Sequence, residues 1–354
     1  MRSLPTELPV RWLGLDGLRG FAVIAVVLYH AGLVAGGFLG VDVFFVLSGF
    51  LITSLLLREQ ERAGRIALRR FYLRRVIRLY PALIVVATFC VLVALAAQQA
   101  VSKTVHDALV AVGYLANLFS LPSGLLDHVW TLALEEQFYL LWPPLLIFAV
   151  RRKRPWRYLP ALLLLLAILL ADVIVGRGGV VHTYVRAMGL PLGCALALTS
   201  GSTRLRAAGA GGFALVGLAV LVFLPGPFWL TTGWPVSLGA VLAVPAVALL
   251  VTSSIPVFEW SVLRWFGLRS YSLYLWHFPL ISLTLHHAPV AVPHVSRIPL
   301  AVVASLVAAE ASYRLVEVPF LRLRDRRTAP TPGVVSPVQQ AEQQLDHRLV
   351  PPGQ

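Results

Sequence analysis

The stretch "LDGLRGFAVIAVVLYH", residues 15–30, decides how the rest of the chain is read. It has the length and apolarity to open a membrane helix, yet it carries Asp16, Arg19 and His30. At ~100° per residue these three fall within a stripe about 60° wide, and His30 lies about 16 Å further along the axis than Arg19. Charge inside a span is costly unless it faces a cavity or a partner within a bundle, so an aligned polar stripe points to an internal path. The bland alternative keeps Asp16 and Arg19 as an i,i+3 pair at the interface and His30 as a packing histidine. This stretch alone does not separate the two.

Composition places the whole chain in the membrane. Of 354 residues, 58% are hydrophobic and 13% charged, and the mean hydropathy is +0.79. A soluble core has no use for that much apolar surface. The net charge of +14 does not indicate nucleic acid, because the basic residues cluster between apolar runs, as orientation signals do. Cys90 and Cys194 both fall inside apolar runs and read as packing residues, not as a disulfide or metal site. The first apolar run is too long, with charges at its start, to be a cleaved signal.

Runs near the ~20 residues a bilayer requires fall at about 15–35, 38–57, 79–98, 131–150, 159–176, 185–200, 207–225, 234–255, 271–288 and 298–318. They predict an all-α, polytopic protein of about ten spans with no soluble domain. With the N-terminus in the cytoplasm, the arginines from Arg58 to Arg78, the cluster Arg151–Arg157, Arg204, Arg206, Arg264, Arg269 and the run Arg322–Arg327 all lie inside. The opposite loops hold little more than Lys103, Arg177 and Arg297. This bias predicts a multi-pass plasma-membrane protein with both termini cytoplasmic. Residues 326–354, rich in Pro and Gln, read as a disordered tail.

The second run is entered through "GGFLGVDVFFVLSGFLIT", residues 36–53. Its glycines allow a tight turn, which would set Asp42 near His30, where an acid fixes the imidazole tautomer and raises its basicity. Asp42 is equally readable as an acid favoured by the helix dipole. Ser48 lacks the context of a hydrolase elbow and reads as a small packing residue. The basic stretch "RRFYLRRVIRLYP", residues 69–81, spaces Arg70, Arg74, Arg75 and Arg78 by three or four, so several share a helix face. Between Arg58 and Arg78 there are eight arginines and no lysine, which favours bidentate recognition of anions over mere positive charge. Enforcement of orientation is the competing account.

These residues resemble the integral-membrane acyltransferase 3 family, which includes O-acetylases of bacterial surface polysaccharides. The resemblance runs over about residues 11–325. It rests on "LDGLRG" followed by His30, "GGFLGVDVFFVLSGFLIT", Arg75-x-x-Arg78 before "LYP", and "WTLALEEQFYLLWP" at 130–143. Further on come Arg186, "GLRSYSLYLWHFPL" at 267–280 and "YRLVEVPFLR" at 313–322. Two departures stand out. Thr131 occupies the place of a frequent serine, and "RAMGLPLGC" lacks the Trp-Glu that often follows the arginine. The extracytoplasmic hydrolase-like domain fused to some members is not expected here, which predicts transfer by this chain alone or to a separate acyl-accepting protein.

The resemblance implies transfer of an acyl group, usually acetyl, from cytoplasmic acyl-CoA to a hydroxyl on the outer side. The acceptor would be a carbohydrate, a glycolipid or a glycosylated small molecule, with no bound cofactor and no metal. Arg19, Arg74, Arg75 and Arg78 would hold the phosphates. His30, supported by Asp42, would act as general base or carry the acyl group. Glu135 and Glu136 would bind the acceptor or simply favour a helix N-terminus. Asp16 and Arg186 are assigned to acceptor binding or support. Glu317 would steady the arginine cluster, and Glu310 would pair with Arg314. Tyr274 and His277 read first as an interfacial belt, with His277 the second histidine candidate. A transporter or flippase for a glycan or lipid, and a non-catalytic scaffold, are the competing functions.

Overall fold

The computed structural model describes residues 12–119, 121–122, 124–150, 158–166, 186–199, 201–223, 234–287 and 294–328. Among these, every regular element is helical. The helices are α1 (Leu13–His30), α2 (Gly40–Ala63), α3 (Leu68–Ala96), α4 (Val101–Val112), α5 (Trp130–Val150), α6 (Gly189–Leu198) and α7 (Gly201–Ala208). They continue as α8 (Gly211–Phe223), α9 (Trp234–Thr252), α10 (Ser261–Leu268), α11 (Ser270–His287), α12 (His294–Ser312) and α13 (Val318–Thr328). A π-helical turn, Tyr313–Glu317, joins the last two.

Four stretches among the described residues are long and apolar enough to cross a membrane: Leu13–His30, Gly37–Ala63, Leu68–Ala96 and Ser296–Leu323. A fifth arises if α7 and α8, bent by 50°, form one span. The expected run at 185–200 is shorter than a bilayer requires, since α6 has only 10 residues. Most of the run at 159–176, the basic cluster 151–157 and residues 329–354 lie outside the described residues. Residues 326–328, assigned to the tail, are instead the end of α13.

Two stretches lying largely between the expected spans are helical. The arginine-rich segment 69–81 is the first half of α3, so its guanidinium groups are borne on a rigid rod that continues through the apolar region. Arg and Leu are good helix formers, and this stretch contains no glycine to interrupt it. The segment 99–130 likewise contains α4, whose buried Thr104, Asp107 and Ala111 face inward. Gly64 ends α2 with φ 67°, a left-handed conformation that a side chain would strain. Only six residues lie between Arg62, the last arginine of α2, and Arg69, the first of α3, which concentrates both sets at one end of the bundle.

The bundle is organised around α1 and α2. α1 packs on α2, α10 and α11, while α2 packs most extensively on α6. The α2–α6 crossing depends on Gly49 and Gly193. A Cβ on Gly49 would sit 2.0 Å from the Leu190 carbonyl oxygen, and one on Gly193 2.1 Å from that of Val46. Small residues at such crossings allow the backbone contact that drives association where lipid offers no hydrophobic force. Cys194 sits in the same crossing, and both cysteines are buried and unpaired, as packing residues.

Candidate functional site

A cavity of about 1030 Å³ runs into the bundle between α1, α2, α3, α5 and α11. Its basic end carries Arg19, Arg58, Arg62, Arg70, Arg74, Arg75 and Arg78. Trp12, Asp16 and Glu59 line the same end. Seven guanidinium groups in one cavity form a strongly anion-attracting mouth, and their fork geometry suits phosphate oxygens.

Some of these arginines are fixed by the walls. Arg19 donates to Ser270 Oγ at 2.9 Å, which ties α1 to the start of α11. Arg75 donates to Glu136 Oε1 at 2.6 Å, and its guanidinium lies 3.3 Å from the centre of the Tyr139 ring. A buried guanidinium so placed has lost its water and regained both charge and π contact, which together hold α3 to α5. Arg75 therefore has a structural partner, whereas the notion of a simple phosphate clamp would leave it open. Glu317 is turned inward by the π-helical segment and accepts a hydrogen bond from Ser272. It lies within electrostatic reach of Arg78 and Arg19, the neighbours expected for it. Glu310 pairs with Arg314, four residues along, and also with Arg269.

The inner end of the cavity is reached at Ser48, Thr131, Glu135, Tyr271 and Tyr274. Ser48 Oγ donates to Glu135 Oε1 at 2.8 Å, so this serine is a polar partner on the cavity wall, beyond the packing role expected for it. Tyr274 has one hydroxyl proton and gives it to the His128 carbonyl at 2.7 Å. Thr131 must then donate to the Tyr274 oxygen, 2.6 Å away.

His30 does not line this cavity; a layer formed by Tyr274 and His277 stands between. The Tyr274 and His277 ring centres are 5.5 Å apart, and those of His277 and His30 are 5.0 Å apart. His30 Nδ1 lies 3.1 Å from His277 Nε2. His277 Nδ1 faces the carbonyls of Tyr274 at 2.7 Å and Leu273 at 3.1 Å, so Nδ1 carries the proton and Nε2 the lone pair. His30 Nδ1 faces that lone pair and the Val26 carbonyl at 3.0 Å, so it too carries the proton. The lone pair of His30 is thereby placed on Nε2.

This corrects one expectation. Asp42 does not support His30. The carboxylate is fully buried, and among the described residues neither oxygen has a hydrogen-bond partner. The partner of His30 is His277, an imidazole carried on α11, far along the chain and invisible to helix spacing. His128 was missed altogether. It is buried, its ring stacks on Phe278 at 25°, and its centre lies 5.3 Å from that of His277. The only sequence signal was its position two residues before Trp130 in the fourth matched block. Arg186 lies over the Phe38 ring, 4.9 Å from its centre, and 5.9 Å from that of Trp130. Among the described residues no group of three or more His, Cys, Asp or Glu is placed to hold a metal ion.

The family model described as an acyltransferase domain matches residues 12–313. The peptidoglycan O-acetyltransferase OatA of Listeria monocytogenes is 35% identical over 343 residues, covering 86% of this chain and 55% of that protein. The O-acetyltransferase OatA of Staphylococcus aureus is 35% identical over 347 residues, covering 87% and 57%. The putative peptidoglycan O-acetyltransferase YrhL of Bacillus subtilis is 32% identical over 345 residues, covering 87% and 54%. The chain thus spans little more than half the length of these relatives. No solved structure matches it.

Proposed function

Because the chain belongs to the membrane acyltransferase family, we propose that it moves an acetyl group from acyl-CoA to a hydroxyl of a carbohydrate, with peptidoglycan the leading acceptor class. One observation carries the reading: a single cavity has seven arginines at its mouth and ends at Tyr274, whose ring backs onto the His277–His30 pair.

Acyl-CoA has a polyanionic head and a long, flexible arm ending in the thioester. The cavity has that polarity, basic at one end and mixed at the other, and its volume is at the upper limit of typical ligand sites, about 300–1,000 Å³. Arg74 and Arg78 are the phosphate ligands in this account, with Arg19 and Arg75 shaping the neck. The arm runs inward past Ser48 and Glu135, and the thioester arrives at Tyr274. Passage to His30 then requires the Tyr274 side chain to shift, a movement of one ring.

At the far side the acceptor hydroxyl gives its proton to His30 Nε2 as its oxygen attacks the thioester carbonyl carbon. The carbon–sulfur bond breaks, the CoA thiolate departs through the cavity, and the ester forms on the sugar. The thiolate recovers a proton from solvent at the mouth, and His30 returns the proton it took to solvent on the acceptor side. His277 holds His30 in the required tautomer and shares the positive charge that develops. A positioned base of this kind contributes about 10²–10⁴-fold. The acetyl group leaves to the carbohydrate directly or by way of a separate acyl-accepting protein at the outer face.

The membrane setting completes the proposal. We place the arginine end in the cytoplasm of a plasma-membrane protein with about ten spans and both termini on that side. The test is sided. Protein is reconstituted in liposomes with radiolabelled acetyl-CoA at the arginine face and a peptidoglycan oligosaccharide at the other. Label on the sugar, with matching release of CoA, supports the proposal. Oligosaccharide carried across without consumption of acetyl-CoA would instead identify a transporter.

A further inference from the structure

Asp42 occupies the first turn of α2, where it is fully buried with both carboxylate oxygens unpartnered among the described residues. Native interiors rarely leave a carboxylate in that state, because the lost hydration is not repaid. Such a group is explained when hydrogen-bond donors arrive with a ligand.

Its surroundings indicate which ligand. The leading charge acting on Asp42 is the guanidinium of Arg186, yet no ion pair or hydrogen bond joins the two. The Asp42 carboxylate thus keeps hydrogen-bonding capacity that the neighbouring guanidinium does not use. On a third side, α9 approaches with bare backbone at Gly239: a Cβ there would lie 3.5 Å from Asp42 Oδ2 and 2.9 Å from the end of the Leu39 side chain. Arg186 rests on the faces of Phe38 and Trp130, so its fork is held in one plane. Arg186 is also within electrostatic reach of His30, and Tyr29 bridges Phe38 to His30 with ring centres 5.6 and 5.1 Å away.

A group that serves both must donate to a carboxylate and accept from a guanidinium at once, and must do so beside the imidazole. Neutral hydroxyls meet that requirement; a phosphate or carboxylate ligand would repel Asp42. We propose that Asp42 and Arg186 form the acceptor subsite, the carboxylate taking hydrogen bonds from sugar hydroxyls near the reacting one and the guanidinium giving hydrogen bonds to them. This deepens the acyltransfer reading and rests on it. It makes Asp42 a substrate-binding group in place of the imidazole's support.

The test measures two bindings on purified protein, one of acetyl-CoA and one of an N-acetylglucosamine–N-acetylmuramic acid oligosaccharide, followed by steady-state kinetics with both. Asp42→Asn is expected to weaken oligosaccharide binding and raise its KM at least tenfold, while acetyl-CoA affinity stays within threefold of wild type. Gly239→Ser, which offers the carboxylate a donor of its own, is expected to weaken oligosaccharide binding in the same selective way. Removal of an unpaired buried charge should not lower the unfolding temperature, whereas a purely structural role predicts that it falls. Unchanged oligosaccharide affinity in Asp42→Asn, or equal loss of both ligands, overturns the subsite. Wild-type protein that binds no acetyl-CoA overturns the acyltransfer reading itself, a separate result.

Discussion

His30 Nδ1 and His277 Nε2 face each other at 3.1 Å across the α1–α11 contact. The carbonyls behind His277 fix its proton on Nδ1, and this in turn fixes the proton of His30. His277→Ala should therefore lower kcat without changing the KM for acetyl-CoA, by about 10–100-fold if it acts chiefly by orienting the base. Equal losses in kcat and in donor affinity would place His277 in the cavity wall instead.

Arg74 and Arg78 line the mouth of the cavity on consecutive turns of α3. Each replacement by Ala should raise the KM for acetyl-CoA about tenfold, with kcat little changed, since loss of one phosphate contact removes ~1–3 kcal/mol of charge-assisted bonding. The effect should shrink as salt is added. Initial rates over a range of acetyl-CoA and salt concentrations check both parts.

Arg75 and Glu136 behave differently because they are paired in the interior, with side chains 17% and 19% exposed. Glu136→Gln leaves a buried guanidinium without its counter-charge and should cost about 3–5 kcal/mol of stability. The combination Arg75→Met with Glu136→Gln should recover a large part of that loss. Unfolding of the single and double variants in detergent measures the coupling directly.

Gly193 meets the Val46 carbonyl so closely that even a methyl group has no room. Gly193→Ala should separate α6 from α2, lower the unfolding temperature and weaken activity through Asp42 and Ser48, both carried on α2. A variant with wild-type stability and activity would show that this crossing relaxes without consequence.

The sequence was most informative where function demands charge in an apolar setting. Asp16 and Arg19 stood out by cost, Arg70, Arg74, Arg75 and Arg78 by spacing, and all six line the same cavity. The helical character of residues 69–81 was legible in their spacing, but a positive run between apolar stretches also reads as a loop, and the structure resolves it as helix. Pairings across the bundle were not legible. Nothing local connects His30 with His277, Ser48 with Glu135 or Arg75 with Glu136, because each pair meets only after distant helices pack. Asp42 followed His30 closely in the chain, and proximity in sequence suggested a contact that the geometry of the turn does not make. The π-helical turn that aims Glu317 at Ser272 has no residue signature either.

The central claim is that His30 activates the acceptor behind Tyr274, which closes the inner end of a cavity fed by acyl-CoA. It is tested most directly by His30→Gln, compared with wild type for acetyl-CoA binding and for oligosaccharide-dependent CoA release. The account predicts donor affinity within threefold of wild type and turnover reduced by about 10²–10⁴-fold. Turnover within threefold of wild type in a folded His30→Gln protein would contradict it.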